Sequence, residues 1–184
     1  MFKNALITKC YTLIELVATM AITGILLDLA IPSFNATLTS SRLTSYANDF
    51  VSALNLARSE AVRRGIAVTV SKKGTLHDWG KEGWTVFVDI NGNGINDSHD
   101  NSCSTSTIGA ATEDCILRAY PPLTTGYTLT TTDNNAVVYL PSGLITASNE
   151  KSFTLCSGIT SKSIIITIVG RAYISSGVVT VESC

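Results

Sequence analysis

The sequence predicts an α+β chain in which a long N-terminal helix packs on antiparallel β-sheet. Three observations predict it. An apolar run extends from Leu13 to Ile31, an amphipathic pattern follows from about Ser40 to Arg64, and beyond Gly65 the chain turns to short β-prone runs. A helix with one apolar stripe and strands with one apolar face bury those surfaces against each other.

The 184 residues suffice for one domain with a real core. Charged residues are 15% of the chain, with 13 Lys and Arg against 14 Asp and Glu, a net charge of −1. Low charge with positive mean hydropathy suits a membrane-associated or secreted protein better than a cytosolic enzyme.

The first element is the apolar run. Residues 1–10 carry Lys3 and Lys9 and no acid. A helix from Leu13 to Ile31 would rise about 28 Å, enough to cross the hydrocarbon core of a bilayer. The preceding lysines would stay cytoplasmic and place the C-terminal part outside. A secretory signal peptide should not open its apolar region with a glutamate and should end at a small-x-small site. A plain anchor needs neither Glu15 nor Asp28. An acid inside such a segment costs about 2.5–3.5 kcal/mol and usually has a function.

The second element recurs at three- and four-residue steps through Leu43, Ala47, Phe50, Leu54, Ala57 and Ala61, which predicts one core-facing stripe. Arg63 and Arg64 suit its last turn, and Gly65 is a C-cap signal. The third element is a set of strands expected at Ala67–Ser71, Trp84–Asp89, Cys115–Tyr120, Tyr127–Thr131, Ala136–Leu140, Ser152–Cys156, Ser163–Val169 and Val178–Val181. Pro141-Ser142-Gly143 and Asp133-Asn134-Asn135 separate some of them as turns. Trp79 and Trp84 are expected to pack.

Lys9-Cys10-Tyr11-Thr12-Leu13-Ile14-Glu15-Leu16 resembles the type III signal of type IV pilins and type II secretion pseudopilins. Ala47–Gly65, with Leu56-Ala57-Arg58-Ser59-Glu60-Ala61 at its heart, is similar to the narrower group of H-type pseudopilins and FimT/FimU-like minor pilins. The resemblance implies the type IV pilin fold and a non-enzymatic subunit. It divides the chain into a leader (1–10), a transmembrane and assembly helix (11–34), and a periplasmic globular domain (35–184) that includes the amphipathic helix. A prepilin peptidase would cut between Cys10 and Tyr11 and methylate the new N-terminus. Glu15 matches the assembly glutamate, which pairs with a neighbouring subunit's terminal amine, and Pro32 matches the family's helix-loosening proline. Cys10 stands where the family has glycine, Tyr11 where it has phenylalanine, and Asp28 where it is apolar. The implied partners are other minor and major pilins or pseudopilins and the inner-membrane assembly platform. The implied role is to initiate or cap a type IV pilus, or to serve as a minor pseudopilin of a type II secretion system.

Four of the five cysteines, Cys103, Cys115, Cys156 and Cys184, lie in the C-terminal half without C-x-x-C spacing, which in an exported domain points to two disulfides. The simplest pairing is Cys103–Cys115 and Cys156–Cys184, among three possible connectivities. Each would stabilise by about 3–4 kcal/mol in the chain-entropy model.

Asp89, Asn91, Asn93, Ile95, Asp97 and Asp100 fit the spacing of a twelve-residue calcium loop, with Ile95 at the position that uses its carbonyl and Gly94 at position 6. The same Gly, Asn and Asp residues are what a long hairpin turn demands. Calcium is the one cofactor the sequence suggests. Gly170-Arg171-Ala172-Tyr173 resembles the G-R-x-R element with which some FimT-like minor pilins bind DNA, with Tyr173 in place of the second arginine. Phosphate recognition needs clustered cations, and losing the leader lysines would make the chain more acidic. Arg171 is therefore a DNA contact only in an alternative reading. His77 and His99 lie in polar loop sequence, and no nucleophile motif or phosphate loop is present.

Overall fold

The computed structural model describes residues 12–75, 77–97, 114–132 and 136–175. The leader residues 1–10, the turn Asp133-Asn134-Asn135 and the strand expected at Val178–Val181 lie outside them. The helix α1 spans Leu13–Arg64. The long N-terminal helix expected from the sequence is unbroken, its apolar and amphipathic halves continuous through Pro32. A proline removes one backbone donor, and cooperative helix on both sides outweighs that local loss.

Residues up to Thr39 and residues from Ser40 onward pack as separate units. In the first, the apolar side chains of α1 are exposed, Leu13 at 82% and Met20 at 66%. Its apolar window has the length and composition to cross a membrane and has no residue buried.

The second unit holds the rest of α1 and two four-stranded antiparallel sheets. One has the order β3-β2-β1-β5, from Cys115–Ala119, Trp84–Val88, Val68–Lys72 and Val137–Tyr139. The other has the order β4-β6-β7-β8, from Thr128–Thr131, Lys151–Ser157, Thr160–Ile166 and Ala172–Ser175. The short helix α2, Trp79–Glu82, interrupts the β1–β2 connection. Asp78 caps it by accepting from the amide of Gly80 at 2.8 Å, and the same oxygen accepts from Leu129 of β4 at 2.9 Å. One carboxylate thus ties a connection of the first sheet to a strand of the second.

Strand ends differ from expectation by a residue or two, except at β7. It begins at Thr160, because a turn at Gly158 (φ +57°) lets polar Thr160, Ser161 and Lys162 pair with Ser157, Cys156 and Leu155. It ends at Ile166, because Gly170 donates back to the Thr167 carbonyl at 2.8 Å and closes a turn. The strand β8 and the helix α2 were not apparent in the sequence.

Leu43, Ala47, Phe50, Leu54, Ala57 and Ala61 are all buried, as the helical spacing predicts, and Ala53 joins them. Gly65 ends the helix at φ +69°, donating to the Ala61 carbonyl. Phe50 is the hub. Its ring centroid lies 5.9 Å from Trp79, 5.2 Å from Trp84 and 4.8 Å from Phe153, the two indoles meeting it edge-on. Those partners come from α2, β2 and β6, so one helical side chain touches both sheets. Replacing Phe50 with alanine should lower the unfolding free energy of the soluble domain by about 3–5 kcal/mol, read from chemical denaturation. Phe50→Leu should recover a substantial part.

Candidate functional site

The exposed face of α1 begins with a cap. Thr12 accepts from the amide of Glu15 at 3.3 Å through its hydroxyl, the N-cap half of a T-x-x-E capping box. The spacing Thr12-x-x-Glu15 carried that signal, which the sequence reading did not use. Glu15 and Asp28 are both exposed. The intervening hydroxyls turn inward: Thr19 donates to the Leu16 carbonyl at 2.8 Å and Thr23 to the Thr19 carbonyl at 2.7 Å. Such back-bonded threonines suit an apolar surrounding, because each satisfies its own donor. Pro32 lies within the helix. Cys10 and Tyr11, the expected processing site, lie outside the described residues.

The Leu56–Ala61 motif has a structural function in the second unit. Half-buried Arg58 donates from Nε to the Gly143 carbonyl and from Nη2 to the Val169 carbonyl, each at 3.1 Å. Gly143 follows β5 of one sheet and Val169 lies between β7 and β8 of the other, so Arg58 staples the two sheets together. Gly170 permits it. A Cβ there would stand 2.1 Å from the Gly143 carbonyl oxygen and 3.2 Å from Arg58 Nε, at φ +75°. Tyr139 is buried beside this staple. Burial pushes its phenol pKa up, with the nearby Arg58 charge opposing. Glu60 accepts from Arg63 Nη2 at 2.6 Å and from Arg64 Nε at 2.5 Å. The Arg63 hydrogen bond leads in holding its carboxyl below the usual range, against desolvation, with Arg64 adding to the effect.

Gly170 of the G-R-x-R-like element is therefore explained by close packing. Arg171 is exposed, with its backbone fixed by exchange with Thr167: its amide meets the threonine hydroxyl at 3.2 Å and its carbonyl meets the Thr167 amide at 3.0 Å.

The structure brings Asp89, Asn91, Asn93, Ile95 and Asp97 into one loop, while Asp100 lies outside the described residues. Buried Asp89 accepts from the Thr69 hydroxyl at 2.9 Å, from the Gly94 amide at 2.9 Å and from the Asn93 amide at 3.1 Å. Asn91 and Asn93 turn their side-chain oxygens onto the amides of Asn93 and Ile95, and their amide groups donate to Asp97 at 3.0 and 2.8 Å. Buried Asp114, which the sequence reading passed over, accepts from the amides of Ile90 and Asp97 at 3.0 and 3.1 Å. The oxygens expected to face an ion face backbone and amide donors. Among the described residues no three His, Cys, Asp or Glu side chains form a group that could hold a metal ion.

Cys115 and Cys156 are both disulfide-bonded. Cys103 and Cys184 lie outside the described residues, as does His99. His77 is exposed, whereas Trp79 and Trp84 are core residues.

Gly170→Ala and Arg58→Ala should each destabilise the soluble domain by about 2–3 kcal/mol, the first through a positive φ and a blocked approach, the second through two lost charge-assisted bonds. Arg171→Ala should leave the melting temperature within about a degree. Asp89→Ala should cost about 2–4 kcal/mol by orphaning three donors, and a calcium chelator should leave the wild-type melting temperature unchanged. A fall on chelation would show that these oxygens hold the ion.

Three comparisons bear on this architecture. The sequence profile of the family described as "Type II transport protein GspH" matches residues 46–170, more than half of the chain. No curated protein sequence matches. The fold is similar to the crystal structure of the Pseudomonas aeruginosa (strain PAO1) type IV minor pilin FimU. In one crystal form the TM-score is 0.54 at 22% identity, covering 72% of this chain and 92% of that one. In the other it is 0.54 at 20% identity, covering 74% and 90%. With the apolar helix, the two sheets and the arginine staple in place, the profile match is decisive: the chain belongs to the GspH family, as a GspH/FimT/FimU-like pilin.

Proposed function

We propose that this chain is a minor pilin that helps initiate or cap a type IV pilus. Its first helix would sit in the bacterial inner membrane, with the globular unit in the periplasm. The reading is carried by one observation: a single helix whose N-terminal part exposes an apolar surface opened by Glu15, and whose C-terminal part is the core of a GspH-family domain. Such a surface is stable only in lipid or against other apolar helices. Lys3 and Lys9 orient the helix with its N-terminus cytoplasmic, and a peptidase cut after Cys10 would free Tyr11 as a methylated terminus. Other pilins and the inner-membrane assembly platform are the expected partners. The second reading, a minor pseudopilin of a type II secretion system, is favoured by the description of the matching family.

A clean deletion separates the two. Fewer surface pili with normal exoprotein secretion supports the pilus role; the reverse supports the secretion role. If both remain intact, each reading falls. In the active system, Glu15→Ala should leave the protein in the membrane yet reproduce most of the deletion phenotype. Mass spectrometry of membrane-extracted protein should find methylated Tyr11 at the N-terminus.

A further inference from the structure

We propose that Asp28 marks a docking face on α1 for the transmembrane helix of a different subunit, one that carries a lysine or arginine at matching depth. The inference rests on the membrane-anchor reading above and adds to it a partner chemistry. At 1.5 Å per residue, Leu13–Phe34 spans about 31 Å, close to the hydrocarbon thickness of a bilayer. Glu15 then lies about 3 Å inside one boundary and Asp28 about 9 Å inside the other, or about 4–5 Å where the span ends with the apolar run at Ile31. Asp28 is the deeper acid. With one methylene in its side chain it is too short to snorkel out, unlike lysine or arginine.

Two acceptors meet at this level of the helix. The Asp28 carboxylate is exposed and has no hydrogen-bond or ion-pair partner among the described residues. Its carbonyl lacks the usual helical donor as well, because the residue four positions on is Pro32, which has no N–H. A negative charge beside an unpaired carbonyl, both away from water, calls for a cation with several donors. Lysine has three and arginine five.

The face around Asp28 allows a close approach. Ala21, Gly24 and Asp28 fall within about 60° of one another on the helix, and a Cβ added at Gly24 would meet nothing within 4 Å. Small residues of this kind let helix backbones draw near enough for a polar contact. Glu15, thirteen residues back, is rotated by about 140° and points elsewhere, so the two acids address different neighbours. The occupant is not a second copy in register. From Leu13 to Ser41 the chain has no lysine, arginine or histidine, and two copies would place like charges together.

The test uses full-length protein in the membranes of the cell that produces it, with a diazirine photo-crosslinking residue at Ala21 or, on the opposite side, at Leu26. The expected result is an adduct from position 21, scarce from position 26, with a different protein whose membrane span contains a lysine or arginine. Asp28→Leu should reduce its yield by about ten-fold or more. Asp28→Lys combined with exchange of the partner's cation for aspartate should restore it. A self-adduct, an adduct indifferent to Asp28→Leu, or no adduct at all would overturn the proposal. Alkaline carbonate extraction of the same membranes separates the two readings. Protein released as soluble refutes the anchor itself, whereas embedded protein without an Asp28-dependent adduct refutes only the docking face.

Discussion

Everything in the globular unit depends on the buried stripe of the C-terminal part of α1, whose side chains join one core with residues of both sheets. Four of its buried positions, Ala47, Ala53, Ala57 and Ala61, carry only a methyl group, and all belong to the core shared with both sheets. Leu43, Phe50 and Leu54 fill the wider gaps between. Packing at crystal-like density needs this alternation of small and large side chains. It also explains why Phe50 meets residues of α2, β2 and β6 at once.

Apolar contact is non-directional and leaves the relative setting of two sheets loosely specified. Polar side chains supply the direction. Arg58 bridges the turns after β5 and before β8, and Asp78 joins α2 to β4. Each satisfies backbone groups that would otherwise be left without donors or acceptors near the core. The Arg58 staple depends on Gly170 as much as on the guanidinium, since any side chain there would collide with the Gly143 carbonyl. The conspicuous motif Leu56–Ala61 is therefore a description of this packing, with Ala57 and Ala61 in the core, Arg58 for the staple and Glu60 to hold Arg63 and Arg64.

Much of this was legible in sequence, and the failures have physical causes. The helix stripe from Leu43 to Ala61 was readable because amphipathic periodicity is a local signal repeated over about five turns. Strands β1 and β2 were readable as dense β-branched and aromatic runs. The start of β7 was not, because Thr160, Ser161 and Lys162 are held there by hairpin pairing and carry no apolar alternation. The strand β8 is four residues long and follows a tight turn, too little for any period to register. Asp89 stood out by its spacing, but one of its three donors, the Thr69 hydroxyl, comes from twenty residues earlier, while the Asn93 and Gly94 amides are local. Long-range partners of that kind are invisible to a pattern read along the chain.

The two parts of α1 pose different physical problems. From Ser40 onward, water is the alternative environment, and burial of the apolar stripe against the sheets is driven by the hydrophobic effect. On the membrane-anchor reading the alternative from Leu13 to Phe34 is lipid, which is as apolar as leucine, so apolar area alone gives no reason to leave it for another protein helix. What can distinguish protein from lipid there is polarity and shape: Glu15, Asp28 with the carbonyl that Pro32 leaves open, and the small residues Ala21 and Gly24. A carboxylate costs several kcal/mol in hydrocarbon and much less beside a cation, so each acid converts membrane residence into a preference for a particular neighbour. On the docking proposal, two acids at different depths and on different sides would give one helix two such preferences, as a subunit with a defined place among unlike partners requires.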